Sequence, residues 1–187
     1  MMMRVVVLHG SPHRNGNSDT LAESLLDGLR TIGTPLDVKH FYTNDMSIRA
    51  CQGCERCAVR LPGYCAINDD MQQIYQAFIE ADVVVFATPM YWGYMTAQLK
   101  AVMDRMEAIT DYFRDKTFVV LITYRHHAQS TVAFFERVCP YFGVTLHVIT
   151  CRTTDADDND IPISKCPDSL REAFDLGASL ATGSGTS

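Results

Sequence analysis

Val83-Val84-Val85-Phe86-Ala87 narrows what this chain can become more than any other stretch. A strand with one wet face alternates apolar and polar residues, and this run does not, so both of its faces must be covered. Val5 to Leu8 and Thr117 to Thr123 read the same way, and Val144 to Thr150 is a further strand. Pro35 to Phe41 instead alternates Leu36, Val38 and His40 with Asp37 and Lys39, as a strand near a sheet edge does. Between these runs lie apolar stripes at helical spacing. Leu21, Leu25, Leu26, Leu29 and Ile32 mark a helix from Asn17 to about Ile32, stopped by Gly33. Asp69-Asp70 suit the N-terminus of a second helix, which carries Met71, Ile74, Tyr75, Phe78 and Ile79. Further helices are expected over Thr96 to about Ile109, Thr131 to Phe142 and from Pro167 through Leu180.

Buried strands that alternate with helices specify an α/β fold, a doubly wound five-stranded parallel sheet. The expected strand order is 2-1-3-4-5. Residues 1–181 read as one domain with a cysteine-rich loop at 44–68, and 182–187 as a flexible tail. Right-handed crossovers bring the loops after the first, third and fourth strands to the carboxyl edge, where such sheets bind ligands.

Sixteen basic and 22 acidic residues give a net charge of −6, with no basic stripe, so nucleic acid is not the expected partner. No apolar run is long enough to span a membrane, and Met1-Met2-Met3-Arg4 enters a strand with no signal-peptide pattern, so a cytoplasmic setting is expected. In a reducing compartment, the four cysteines between Cys51 and Cys65 point to metal or redox chemistry before disulfides.

The first strand runs into Gly10-Ser11-Pro12-His13-Arg14-Asn15-Gly16-Asn17-Ser18, and a helix follows at once. Strand, small polar loop and helix together turn backbone N–H groups toward an anion. The loop has neither Gly-x-Gly-x-x-Gly nor Gly-Lys-Ser/Thr, so it fits a bound mononucleotide better than a dinucleotide or a hydrolysed triphosphate. Pro89-Met90-Tyr91-Trp92-Gly93, at the end of the central strand, adds aromatic and thioether surface that can flank a planar heterocycle. Trp92 alone is equally compatible with a core or subunit-interface role. The acidic run Asp155 to Asp160 reads as a solvated connection.

These loops, with Asp69-Asp70-Met71 and Gln98-Leu99-Lys100-Ala101-Val102-Met103-Asp104-Arg105, resemble the NADPH-dependent FMN reductase family of flavodoxin-like proteins. The resemblance is specific from Arg4 to about Asp111 and loose beyond. It implies FMN as cofactor, with its phosphate at Ser11, His13, Asn17 and Ser18 and its ring against Pro89, Met90, Tyr91, Trp92 and Gly93. Where many relatives have Ser-Pro-Arg, this chain has His13 followed by Arg14, so either could meet the phosphate. The loop Tyr124 to Gln129 departs from the Gly-rich form of relatives, and His126 and His127 fit either a place near the flavin or the open surface. The implied activity is NAD(P)H-dependent reduction of a quinone, flavin or other small-molecule electron acceptor by a homodimer or homotetramer.

Cys51, Cys54, Cys57 and Cys65 form C-x2-C-x2-C-x7-C. The first three are spaced to wrap one face of an iron–sulfur cubane. Zinc sites usually separate their two CxxC knuckles more widely. The pattern resembles the compact motif of iron–sulfur flavoproteins, a branch of the same family, and that resemblance implies a [4Fe-4S] cluster on these four residues. Zinc, redox-active thiols and inert cysteines stay open, because the x7 spacing is long and no proline follows Cys65. With a cluster, ferredoxin becomes a candidate electron donor, and a non-catalytic electron carrier or redox sensor becomes the alternative to an enzyme.

Overall fold

The computed structural model describes residues 2–31, 33, 35–59 and 65–182. Of the expected tail, 183–187 lies outside the described residues. The elements in chain order are β1 (Met3–His9), α1 (Asn17–Arg30), β2 (Leu36–Tyr42), a four-residue α2 (Arg56–Val59) and α3 (Met71–Glu80). They continue with β3 (Val83–Tyr91), β4 (Tyr94–Met95), α4 (Ala97–Arg105), β5 (Thr117–Tyr124), α5 (Gln129–Phe142), β6 (Thr145–Arg152) and α6 (Pro167–Ala181). Five parallel strands lie in the order β2-β1-β3-β5-β6. This is the expected 2-1-3-4-5 arrangement with one addition. Tyr91 and Met90 pair antiparallel with Tyr94 and Met95, so the central strand ends in a two-stranded hairpin.

Alternation along the strands divides the core into two layers. Val6, Leu8, Val84, Phe86, Phe118 and Val120 face α3, α4 and α5. Val5, Val7, Val83, Val85, Val119 and Leu121 face α1 and α6. This is why the apolar runs are continuous: each neighbouring residue has its own layer to fill. On the first face Phe78, Phe86, Phe113, Phe118 and Phe135 pack edge to face or tilted, with centroids 5.0–5.6 Å apart.

On the other face α1 and α6 cross at two glycines. A Cβ on Gly28 would lie 2.0 Å from the Phe174 carbonyl oxygen, and one on Gly177 equally close to that of Leu25. The Ser24 hydroxyl donates to the Leu170 carbonyl at 2.7 Å beside the crossing. This close approach fixes how α1, and therefore its N-terminus, sits over the sheet. Thr96 is the N-cap of α4: its hydroxyl oxygen accepts from Leu99 N–H and the hydroxyl donates to the Gly10 carbonyl at 2.7 Å. Thr96 thereby locks the first and third loops to each other.

Candidate functional site

At the carboxyl edge, between the ends of β1, β3 and β5, lies a hollow of about 510 Å3. Ser11, His13, Gly16, Asn17 and Ser18 line one end, and Pro89, Met90 and Tyr91 one wall. Seven of the ten residues expected at a cofactor are therefore gathered here: Ser11, His13, Asn17, Ser18, Pro89, Met90 and Tyr91. The size falls within the roughly 300–1,000 Å3 typical of small-molecule sites.

The polar end is built to take an anion. Gly16 is the N-cap of α1, with extended backbone and no side-chain cap, so the first-turn N–H groups of the helix have no capping oxygen. Ser11 folds the loop locally: its Oγ accepts from His13 N–H at 3.1 Å. Beneath the loop, the buried Asp19 carboxylate accepts from Asn15 N–H at 2.8 Å and lies 2.8 Å from His9 Nδ1. His9 Nε2 in turn lies 3.0 Å from His40 Nδ1, and its ring stacks on Tyr42. Burial, then the neighbouring His9, holds the His40 imidazole below its ordinary range. The loop thus rests on a hydrogen-bonded polar layer and is shaped before any ligand arrives.

Two expected residues do something else. Arg14 turns away from the hollow, donates from Nε to Asp45 at 3.0 Å and lies 3.7 Å above the Tyr42 ring. Between the two candidates the sequence left open, His13 is the one lining the hollow. Asn17 contributes its backbone position, but its side chain is engaged: Oδ1 accepts from Ile163 N–H at 2.9 Å, and Nδ2 donates to the Ile161 carbonyl. It ties the segment after β6 to the start of α1.

That segment was the feature sequence reading missed. From it Thr153 and Asp160 complete the lining, beside Thr123, Tyr124 and Arg125 at the end of β5, whose loop was expected at this edge. The acidic run is not simply solvated: Asp155 Oδ1 accepts the N–H groups of Asp157 and Asn159, and Asp160 faces the hollow. These backbone bonds hold the Asp155 carboxyl below its usual range. Parallel strands that all end at one edge would have pointed to the loop after the last one.

Trp92 and Gly93 form the hairpin tip, with φ of +49° and +80°. Trp92 is fully exposed, so it belongs to no core. With Met90, Arg125, His126 and His127 these two residues border an adjoining hollow of about 380 Å3. A third hollow, about 540 Å3, runs along β6 and α6 away from the strand ends, where Asp168, Arg171, Glu172 and Asp175 make an ordinary charged helix face.

The cysteine loop is built differently. Cys51 and Cys54 are exposed, Cys57 and Cys65 half-buried, and residues 60–64 between the latter two lie outside the described residues. Among the described residues, no three His, Cys, Asp or Glu side chains converge where a metal ion could sit. Burial raises the Cys57 thiol. The loop is ordered at its two ends. Asp70 Oδ2 accepts from Ser47 N–H at 2.7 Å and Asp69 Oδ2 from Arg49 N–H at 3.0 Å. The two aspartates expected to cap a helix mostly hold the entrance of this loop, although Asp69 Oδ1 also accepts from Met71 N–H. The remaining cysteines are structural: Cys139 and Cys151 are buried, their thiols pushed up to about 12 and about 11 by burial, and Cys166 precedes α6.

The sequence model of the family described as NADPH-dependent FMN reductase matches residues 3–151. An iron–sulfur flavoprotein of Archaeoglobus fulgidus is 37% identical over 116 residues, covering 60% of this chain and 57% of that protein. One from Methanosarcina thermophila is 33% identical over 103 residues, covering 55% of this chain and 52% of the relative. The chain thus spans about half the length of these curated relatives. Among solved structures, an NAD(P)H:quinone oxidoreductase from Methanothermobacter marburgensis superposes with a TM-score of 0.72 over 96% of both chains, at 20% identity. At that identity the likeness is one of fold. Among the described residues no helix is long and apolar enough to cross a membrane.

Proposed function

Because the chain belongs to the NADPH-dependent FMN reductase family, we propose that it is an FMN-dependent NAD(P)H oxidoreductase that passes electrons to a small acceptor such as a quinone or flavin. The observation that carries this reading is the hollow at the strand ends, with an uncapped helix N-terminus at one end and Pro89, Met90 and Tyr91 along a wall. Bound FMN supplies a ring that accepts a hydride and returns its electrons one or two at a time. The chain's own part is to bind and orient. First-turn N–H groups of α1, with Ser11 and Ser18, take the phosphate. Pro89 to Tyr91 lie along the ring, and the backbone turn at Trp92-Gly93 leaves the adjoining hollow open to a second planar substrate.

The cysteine loop extends the proposal to an iron–sulfur cluster on Cys51, Cys54, Cys57 and Cys65, as the names of the two archaeal relatives suggest for those proteins. The donor set fits in kind, with four thiols in one loop, and on the neighbouring helix end the buried Arg105 Nε has no hydrogen-bond partner among the described residues. The exposure of Cys51 and Cys54 favours a second reading, one-electron exchange with a ferredoxin-type protein. We place the flavin site in a homodimer or homotetramer, with exposed Trp92 and Tyr91 facing the partner copy.

The test is protein purified without oxygen, its visible spectrum, iron and sulfide content, and turnover with NADH and NADPH against a quinone. Flavin bands with turnover support the enzyme. A colourless protein that takes up no FMN contradicts it, and flavin without iron removes the cluster.

A further inference from the structure

Among the described residues the largest wholly buried side chain is a cation, Arg105, at the last turn of α4. Taking a guanidinium out of water is costly unless its donors are met, so what meets them matters. Nη1 donates to both carboxylate oxygens of Asp69, at 3.0 and 2.7 Å, and to the Arg49 carbonyl at 3.1 Å. Nη2 donates to the Ile67 carbonyl at 3.0 Å. Arg49 lies just before Cys51, and Ile67 and Asp69 just after Cys65. One side chain therefore touches the outgoing and the returning leg of the same loop. Asp69 closes the arrangement by accepting from Arg49 N–H. The Tyr75 hydroxyl donates to the Arg105 carbonyl at 2.7 Å, which fixes the helix end against α3.

We infer that Arg105 is the positioning residue of the cysteine loop: through Arg49, Ile67 and Asp69 it clasps the two legs together and sets Cys57 and Cys65 against the core. Nothing else among the described residues joins the legs with a buried charge. Arg49's own side chain reaches Asp69 only from the surface, at 3.7 Å. Cys57 and Cys65 pack partly on the core face that holds Tyr75 and Met106, whereas Cys51 and Cys54 are exposed. The clasp's role does not depend on what the thiols hold.

The experiment is pulsed alkylation of the full-length protein by iodoacetamide, read cysteine by cysteine by mass spectrometry, alongside FMN affinity. In Arg105→Met the clasp opens locally, so Cys57 and Cys65 label at least about tenfold faster, while Cys139 stays protected. Cys51 and Cys54 label as before, and FMN affinity stays within about twofold. Asp69→Asn breaks the clasp from the loop side and gives the same pattern, which guards against Arg105→Met failing to fold. Arg105→Lys keeps the charge without the fork and recovers only part of the protection. Unchanged labelling of Cys57 and Cys65 in folded variants overturns the inference. So does parallel exposure of Cys139 in both variants, because that makes the pair a general stabiliser. Iron uptake on anaerobic reconstitution adds an independent readout: it falls in both variants if the wild-type protein loads a cluster.

Discussion

The hollow at the strand ends and the cysteine loop solve the problem of holding a ligand in opposite ways. The hollow is preformed. Its loop is shaped by Ser11, Asp19 and Asn15, locked to the next loop by Thr96, and tied to the last by Asn17. Among the described residues the cysteine loop is fastened at its ends by a buried Arg105–Asp69 pair and by Asp70, and its four thiols range from exposed to half-buried. A preformed site can bind a small molecule with little ordering cost. A tethered loop must close around its ligand and meets that cost on binding. Mutations in the first region should act on affinity, and those in the second on local order.

The sharpest way to break the comparison is at the clasp. Arg105→Met leaves Asp69, 6% exposed, with only the surface guanidinium of Arg49 at 3.7 Å for a cation. Loss of one partner of a buried pair costs about 3–5 kcal/mol; because the loop can open by itself, that cost falls on local opening, so hydrogen exchange over 47–59 and 65–70 should speed up strongly while the urea midpoint holds. Ser18→Asp comes next. It sets a carboxylate where the phosphate would lie and should weaken FMN binding about a hundredfold with unchanged circular dichroism. Gly177→Ala forces α6 off α1 and should cost about 1–3 kcal/mol in thermal unfolding, with a smaller loss of FMN affinity as α1 shifts.

A pH experiment sharpens the other side. Burial alone would raise the Asp69 carboxyl, but Arg105 and the N–H groups of Arg49 and Met71 outweigh it and hold the group below its ordinary value. Its stabilising effect is therefore complete above the usual carboxylate pKa of about 4 and fades as pH falls through the lower native value. Hydrogen exchange over 47–59 and 65–70 should speed up in that acid window, and Asp69→Asn should remove the pH dependence. The smallest effect is expected at Arg14→Ala, which should change FMN affinity less than about twofold, because Arg14 pairs with Asp45 on an exposed surface.

Much of the fold and half of the site could be read from the residues, for a physical reason. Buried parallel strands must be apolar on both faces, so Val5 to Leu8 and Val83 to Ala87 declared themselves, and the loops at their ends followed. What escaped were features made by partners far apart in sequence. Arg105 read as one residue of a motif because nothing local says that a charge at a helix end is buried against Asp69, 36 positions earlier. Asp160 read as solvated because only the return of the chain over Asn17 brings it to the hollow. Arg14 and His13 could not be ranked until Asp45 took Arg14 away.

The central claim is a phosphate at the N-terminus of α1 and a ring along Pro89 to Tyr91. Its most direct test is fluorescence titration of the cofactor-free protein with FMN and, separately, with riboflavin, which has the ring and no phosphate. The account predicts one FMN bound per chain and at least about a hundredfold weaker riboflavin binding. Equal affinity for the two, or no binding of FMN, would contradict it.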